Sequence, residues 1–256
     1  VVVGELPQPT VVRLAVALAS AVYEGQIEID GIRAEFARGV SEAKRLIERG
    51  TLPVMTSSAA TLQSLLSPHV IVDARMAKRN LGIRATDAPI VVGLGPGFRA
   101  GEDVHAVIET QRGHHLGTVI LAGTAEPDTG IPSAVQGHAR DRVLWSPGHG
   151  TLRPAVRIGD TVRQGEHIAS VDDLAVLAPI GGVVRGLAHQ GLEVHEGQKI
   201  GDIDPRGVHD YCFTISDKAR AVAGGVLEAI LFLQRRLVSG TGCAGVDRER
   251  SSADAC

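Results

Sequence analysis

Two stretches of this chain carry the residue types that hold a phosphate. The first is Asp73-Ala74-Arg75-Met76-Ala77-Lys78-Arg79-Asn80, which follows the apolar run Val70-Ile71-Val72. Asp73 stands at the carboxyl end of that expected strand, where α/β folds place their ligands. Lys78, Arg79 and Asn80 follow as donors of charge-assisted hydrogen bonds. The second is Gly93-Leu94-Gly95-Pro96-Gly97-Phe98-Arg99-Ala100-Gly101. Alternate glycines after a strand free backbone N–H groups to converge on an anion, and Arg99 adds charge. This is not the dinucleotide fingerprint, which needs a helix next, whereas Glu102-Asp103-Val104 leads into a strand. Pro96 also removes one donor. The competing readings are a solvated basic turn for the first stretch and a wide glycine turn at a sheet edge for the second.

The candidate ligand-binding residues are therefore Asp73, Lys78, Arg79, Asn80, Gly93, Gly95, Gly97 and Arg99. Glu5 joins them on a separate argument. Val1-Val2-Val3 reads as a strand, and an acidic residue ending such a strand is what a Rossmann unit uses on a ribose hydroxyl. No G-x-G-x-x-G precedes it, so a solvated Glu5 stands beside that reading. Cys212 is the candidate catalytic residue. A thiol just upstream of a helix start, near Lys218, is placed for a lowered pKa and for reactivity. The alternative is a buried small hydrophobe beside Phe213. In Glu109-Thr110-Gln111-Arg112-Gly113-His114-His115 the adjacent histidines point to opposite faces of a strand. They have no Cys or Glu partner at ligand spacing, so no metal site is expected. No G-x-S-x-G elbow or Ser/His/Asp order supports a hydrolase.

The elements that must position these residues alternate between strand and helix. Val11 to Glu24 reads as a helix stopped by Gly25. Gln26 to Phe36 alternates around Asp30-Gly31, a strong hairpin signal. Ser41 caps a helix that Gly50 ends, Leu52–Met55 is a buried strand, and Ser58–Leu66 is a helix. Val70–Val72 and Pro89–Leu94 are further strands. This order predicts an α/β layer with a mostly parallel sheet, a truncated Rossmann-like domain over residues 1–137. Val104 to Ala122 turns to β structure around Arg112-Gly113-His114. At the other end, Phe213-Thr214-Ile215 is strand-like. A helix follows with Val222, Val226, Ile230, Leu233 and Leu237 on its apolar face, so residues 206–238 should pack on the α/β domain. Gly224-Gly225 inside that helix costs about 1 kcal/mol per residue relative to Ala unless a neighbour packs close. The small, polar residues 239–256 read as a disordered tail.

Between these parts lies an internal repeat. The segment from Ser146 and the segment from Ala178 align without a gap at an offset of 32 residues. Pro147, Gly150, Gly159, Val162, Gly165, Ile168 and Asp172 fall on Pro179, Gly182, Gly191, Val194, Gly197, Ile200 and Asp204. Glycines at these spacings suit turns with φ > 0, and the alternating apolar residues suit short half-buried strands. Two copies predict a closed, pseudo-twofold β domain over 138–205 rather than a solenoid. The pattern resembles the barrel-sandwich hybrid of biotinyl and lipoyl domains. The joining hairpin, Asp172 to Leu177, has no lysine, so neither biotin nor lipoate can be attached and no covalent cofactor is expected.

Composition narrows the function classes. The chain has 256 residues and 44% apolar residues but only 3% aromatic ones, so its core is built from Val, Leu, Ile and Ala. A net charge of −3 without a basic block argues against nucleic acid. The apolar run Ala219–Leu233 is interrupted by Arg220 and Glu228 and is too short to span a bilayer, so no membrane is expected. Cys212, Cys243 and Cys256 match no zinc motif and suit a reducing, cytoplasmic setting.

The segments "VDARMAKRNLG", "PIVVGLGPGFRAGEDVHAVIETQRGHHLG", "AEPDTGIP" and "CFTISDKARAVAGGVLEAI" together resemble the YqeB-type family, the selenium-dependent molybdenum hydroxylase system proteins. The resemblance runs from Val1 to about Leu231. It implies a cytoplasmic accessory protein in the maturation of molybdenum hydroxylases, partnered by such a hydroxylase or its maturation proteins. The implied ligand is the molybdenum cofactor or a nucleotide. Family members open with a strand and glycine-rich loop ahead of the segment matching Val1-Val2-Val3, which implies a first β-loop-α unit that this sequence lacks. A homo-oligomer is compatible with the residues. An enzyme using Cys212 as a persulfide-type sulfur or selenium relay and a ligand-free scaffold in an assembly complex stand as alternatives.

Overall fold

The computed structural model describes residues 1–240. The expected tail lies outside the described residues from 241 onward. The chain forms two compact units: Val1–Leu66 with Gly130–Ser216, and Ser67–Thr129 with the chain from Asp217.

The first unit opens with β1 (Val3–Gly4), α1 (Ala21–Glu24), β2 (Gln26–Ile29), β3 (Ile32–Phe36), α2 (Val40–Glu48), β4 (Leu52–Met55) and α3 (Ala59–Leu66). Its sheet runs β1-β4-β3-β2, with β1, β4 and β3 parallel and β2 antiparallel to β3. The Asp30-Gly31 hairpin forms as its sequence predicts, with φ of 49° and 77°. The helix expected over Val11–Glu24 does not form as one piece. Two 3-10 turns, Leu14–Val16 and Leu18–Ser20, precede the single turn of α1. The cause is tertiary. Val12 O accepts from Leu187 N at 2.7 Å, and Arg13 Nη2 donates to the carbonyls of Tyr211, Cys212 and Thr214. Those bonds hold residues 12–13 out of a helical ladder. Gly39, not Ser41, occupies the cap of α2.

The second unit contains β5 (Val70–Asp73), β6 (Ile90–Leu94), β7 (Ala106–Ile108) and β8 (Val119–Ile120). Its sheet runs β5-β6-β7-β8, parallel through β7 and antiparallel at β8. The single parallel layer expected over residues 1–137 is therefore two separate sheets. Periodicity specifies that a segment is a strand, not which strand it pairs with, and each parallel trio is completed by its own antiparallel strand.

The repeat folds into strands that match one for one at the 32-residue offset. They are β9 (Val143–Trp145), β10 (Gly150–Pro154), β11 (Thr161–Val162), β12 (His167–Val171), β13 (Leu174–Leu177), β14 (Gly182–Leu187), β15 (Glu193–Val194) and β16 (Lys199–Asp204). The two sheets, β13-β12-β10-β15 and β9-β16-β14-β11, exchange their short strands. β15 pairs with β10, and β11 with β14. Equivalent residues fill one shared core: Leu144 with Val176, Leu152 with Val184, Val162 with Val194, Ile168 with Ile200, and Val171 with Ile203. Among the described residues no sheet closes into a barrel, contrary to expectation. β11 and β15 are two residues long, which leaves no ladder to carry hydrogen bonding onward.

The last element, α4 (Asp217–Gly240), belongs to the second unit. Val222 and Ala229, with Val226, Ile230 and Leu233, cover Ile90, Val92, Ala106 and Ile108 on one face of the sheet. Val91 and Val107 point to the opposite face, under Phe98, Ala100 and Val104. This is the strand alternation of a sheet buried on both sides. Leu237, assigned to the apolar stripe, is 48% exposed. Phe213-Thr214-Ile215 is not a strand; it follows a 3-10 turn at His209–Cys212. No helix among the described residues is long and apolar enough to cross a membrane.

Candidate anion-binding site

The carboxyl ends of β5, β6 and β7 lie side by side, in the registers Asp73↔Gly93 and Leu94↔Ile108. The loops they release are the two stretches singled out in the sequence. Gly97 has φ +106°, and a Cβ there would sit 2.5 Å from Arg79 N. The glycine loop thus rests directly on the backbone of the basic loop. Met76 and Lys78 both have positive φ, 55° and 62°. Two non-glycine residues in that region within one short loop hold a conformation that the surrounding structure must enforce. Lys78 Nζ reaches Asp128 Oδ1 at 3.2 Å.

The other residues of the set divide by task. Asp73 is buried and spends its carboxylate on Arg75, which donates through Nε at 3.0 Å, through Nη2 and through its backbone N–H. Asn80 closes its own loop, accepting from Gly82 N and Ile83 N and donating to Ile83 O. Gly93 makes room for the Phe98 ring, and Gly95 for the Thr110 hydroxyl. Arg79 is exposed and has no ion pair among the described residues. Arg99 is also exposed, 3.6 Å from Glu102. Lys78, Arg79 and Arg99 are therefore the members of the set with charge to offer a ligand.

Three further residues belong here. Glu109, at the end of β7, is buried and accepts from the backbone N–H groups of Thr110, Gln111 and Glu126 at 2.7, 2.7 and 2.8 Å. It ties the loop after β7 to the segment carrying Asp128. Arg112 makes a two-point ion pair with Asp217 at the start of α4, at 2.7 and 2.8 Å. Lys218 follows Asp217, half-buried, and its side chain has no ion pair among the described residues. Burial, then Lys78 and Arg112, lower the Lys218 pKa against the opposing pull of Glu109 and Asp128. The sequence contained all three residues, but it attached Glu109 and Arg112 to a histidine pair and Lys218 to Cys212.

Glu5 and Cys212 lie in the first unit. Glu5 follows β1, and its Oε1 accepts from Leu6 N at 2.8 Å. Cys212 is fully buried, its Sγ 3.6 Å from Val184 O. Burial pushes its thiol pKa up, only partly offset by Arg13 and Arg185. This corrects the expected lowering, which assumed an exposed thiol at a helix start. Under native conditions Cys212 should resist iodoacetamide over a time in which unfolded protein is fully alkylated. Peptide mapping that finds rapid native labelling at Cys212 would contradict the burial.

No family model matches the chain. The uncharacterized protein YqeB of Escherichia coli strain K12 is 48% identical over 241 residues, which is 94% of this chain and 44% of that protein. The similarity extends over most of this chain. The chain spans less than half the length of that relative. Among solved structures, a succinylglutamate desuccinylase/aspartoacylase from Rhodobacter sphaeroides is 25% identical, with 32% of this chain and 29% of that one covered and a TM-score of 0.24. The product-bound ectoine utilization protein EutE (DoeB) from Ruegeria pomeroyi is 15% identical, covering 79% and 84%, with a TM-score of 0.25. At such scores neither superposition carries an argument about fold or activity.

Proposed function

We propose that the chain is an accessory protein in the maturation of molybdenum hydroxylases, selenium-dependent ones among them. In this reading it holds a phosphate-bearing ligand, a nucleotide or the molybdenum cofactor, at the carboxyl ends of β5, β6 and β7. The observation that carries the ligand site is the seating of Gly97 on the backbone of Lys78 and Arg79. It joins the glycine loop and the basic loop into one surface with Lys78, Arg79 and Arg99 on it, where open α/β sheets bind ligands. The maturation role is supported by the resemblance set out above, whose motifs include both loops. The repeat domain, a lysine-free module of the barrel-sandwich-hybrid kind, would dock the partner hydroxylase or maturation protein.

The test is calorimetric titration of the full chain with a nucleotide and with molybdopterin. Lys78→Ala combined with Arg99→Ala should weaken the bound ligand at least tenfold, because each lost charge-assisted bond is worth about 1.5–3 kcal/mol. Unchanged affinity in the double variant would dismiss these loops as the site.

A further inference from the structure

The helix α4 is apolar on two opposite faces. One covers the sheet through Val222, Val226, Ala229, Ile230 and Leu233. The other lies about half a turn round the helix, at 3.6 residues per turn. It carries Leu227, Leu231 and Val238, which are 59%, 58% and 74% exposed. A helix that is apolar all round is ordinarily covered all round. Single surface leucines are commonplace, whereas a contiguous row of them marks an interaction surface. This row has the spacing of a coiled-coil seam. Leu227, Leu231, Gln234 and Val238 are separated by four, three and four residues, the alternation that keeps a line of side chains facing a second helix. Glu228 and Arg235 stand seven residues apart along one flank of that seam. Both are exposed, and neither has an ion pair among the described residues.

We propose that this face binds the same face of a second copy of the chain, with the two α4 helices antiparallel about a twofold axis. A twofold contact joins one surface to itself, so every residue pair occurs twice. Charge selects the partner and the direction. In the antiparallel pair equivalent flanks meet, and Glu228 lies against the partner's Arg235 on both sides of the axis. The same register sets Leu227 against the partner's Val238 and Leu231 against the partner's Gln234. On the other flank Leu237, 48% exposed, reaches the partner's Ile230. A parallel pair would instead set Glu228 against the partner's Ala223 and Arg235 against the partner's Ile230, leaving the charges without partners. An unrelated protein would account for the exposed leucines. It would not account for opposite charges one heptad apart on the same flank, which is what self-pairing requires. The contact is independent of the ligand site proposed above, which lies at the strand ends.

The test is sedimentation equilibrium of the full chain over a range of concentrations. The wild type should dimerise, and Leu231→Lys should stay monomeric at concentrations where the wild type is a dimer. Leu231 is exposed, so the variant should keep the wild-type thermal unfolding of its monomer. Glu228→Arg alone and Arg235→Glu alone should each weaken the dimer roughly tenfold, because two symmetry-related pairs turn from attraction to repulsion. The exchanged double variant, Glu228→Arg with Arg235→Glu, should recover the wild-type affinity. A wild type that is monomeric throughout would overturn the proposal. A dimer indifferent to Leu231→Lys would place the contact elsewhere and overturn it too. A double variant no stronger than the single ones would overturn the antiparallel pairing.

Discussion

Gly97→Ala is expected to destabilise the second unit by about 2–5 kcal/mol and to abolish tight ligand binding at the β5–β7 ends. Two costs add. A side chain at φ +106° is strained, by roughly 1–2 kcal/mol for a left-handed L-residue. A Cβ 2.5 Å from Arg79 N must also push one loop off the other, and forced overpacking costs about 1–3 kcal/mol. Gly101 supplies the control. Its φ is +88°, but nothing lies within 4 Å of its would-be Cβ, so Gly101→Ala should show the backbone term alone. Chemical denaturation of both variants, with titration of the ligand, separates the terms. Equal stability loss in the two variants would mean that the loops are not interlocked.

Gly225→Ala and Gly224→Ala are expected to shift stability in opposite directions, though the residues are neighbours on α4. A Cβ at Gly225 would lie 2.1 Å from Gly117 O and 3.0 Å from Ile108 Cγ2. The helix sits against the loop between β7 and β8, and the approach is reciprocal: a Cβ at Gly117 would meet Ala221 O at 2.6 Å. Forcing these backbones apart lifts Val222 and Ala229 from the sheet and shifts Lys218 at the head of the helix. The loss should reach about 3 kcal/mol. At Gly224 nothing lies within 4 Å. Alanine there removes only the helix penalty of glycine, a gain of about 0.5–1 kcal/mol. Thermal unfolding of the pair reads both signs, and two stabilised variants would show that α4 does not seat on Gly117.

The repeat was the most legible part of the chain. The offset that aligns the glycines also aligns every strand from β9 to β16, and Gly159, Gly165, Gly191 and Gly197 all have the expected positive φ. Turn chemistry and alternation are local properties, so they survive into the fold. The Lys78 and Gly97 loops were legible as separate basic and glycine-rich stretches. Their joining was not, because it depends on β5 pairing with β6, which no local signal specifies.

By itself the sequence determined the element types, the turn positions, the apolar residues available for a core and the absence of an amine on the repeat hairpin. These follow from periodicity, from side-chain shape at each φ and from covalent chemistry, all read within a few residues. Tertiary structure alone decided that the strands before residue 137 form two sheets, that Cys212 is buried and that Arg13 leaves the helix expected there. It also decided that Gly225 is a contact while Gly224 is a defect. Each of these depends on which distant atoms come within a few ångströms, and burial and charge proximity become properties of a residue only once the chain has closed on itself.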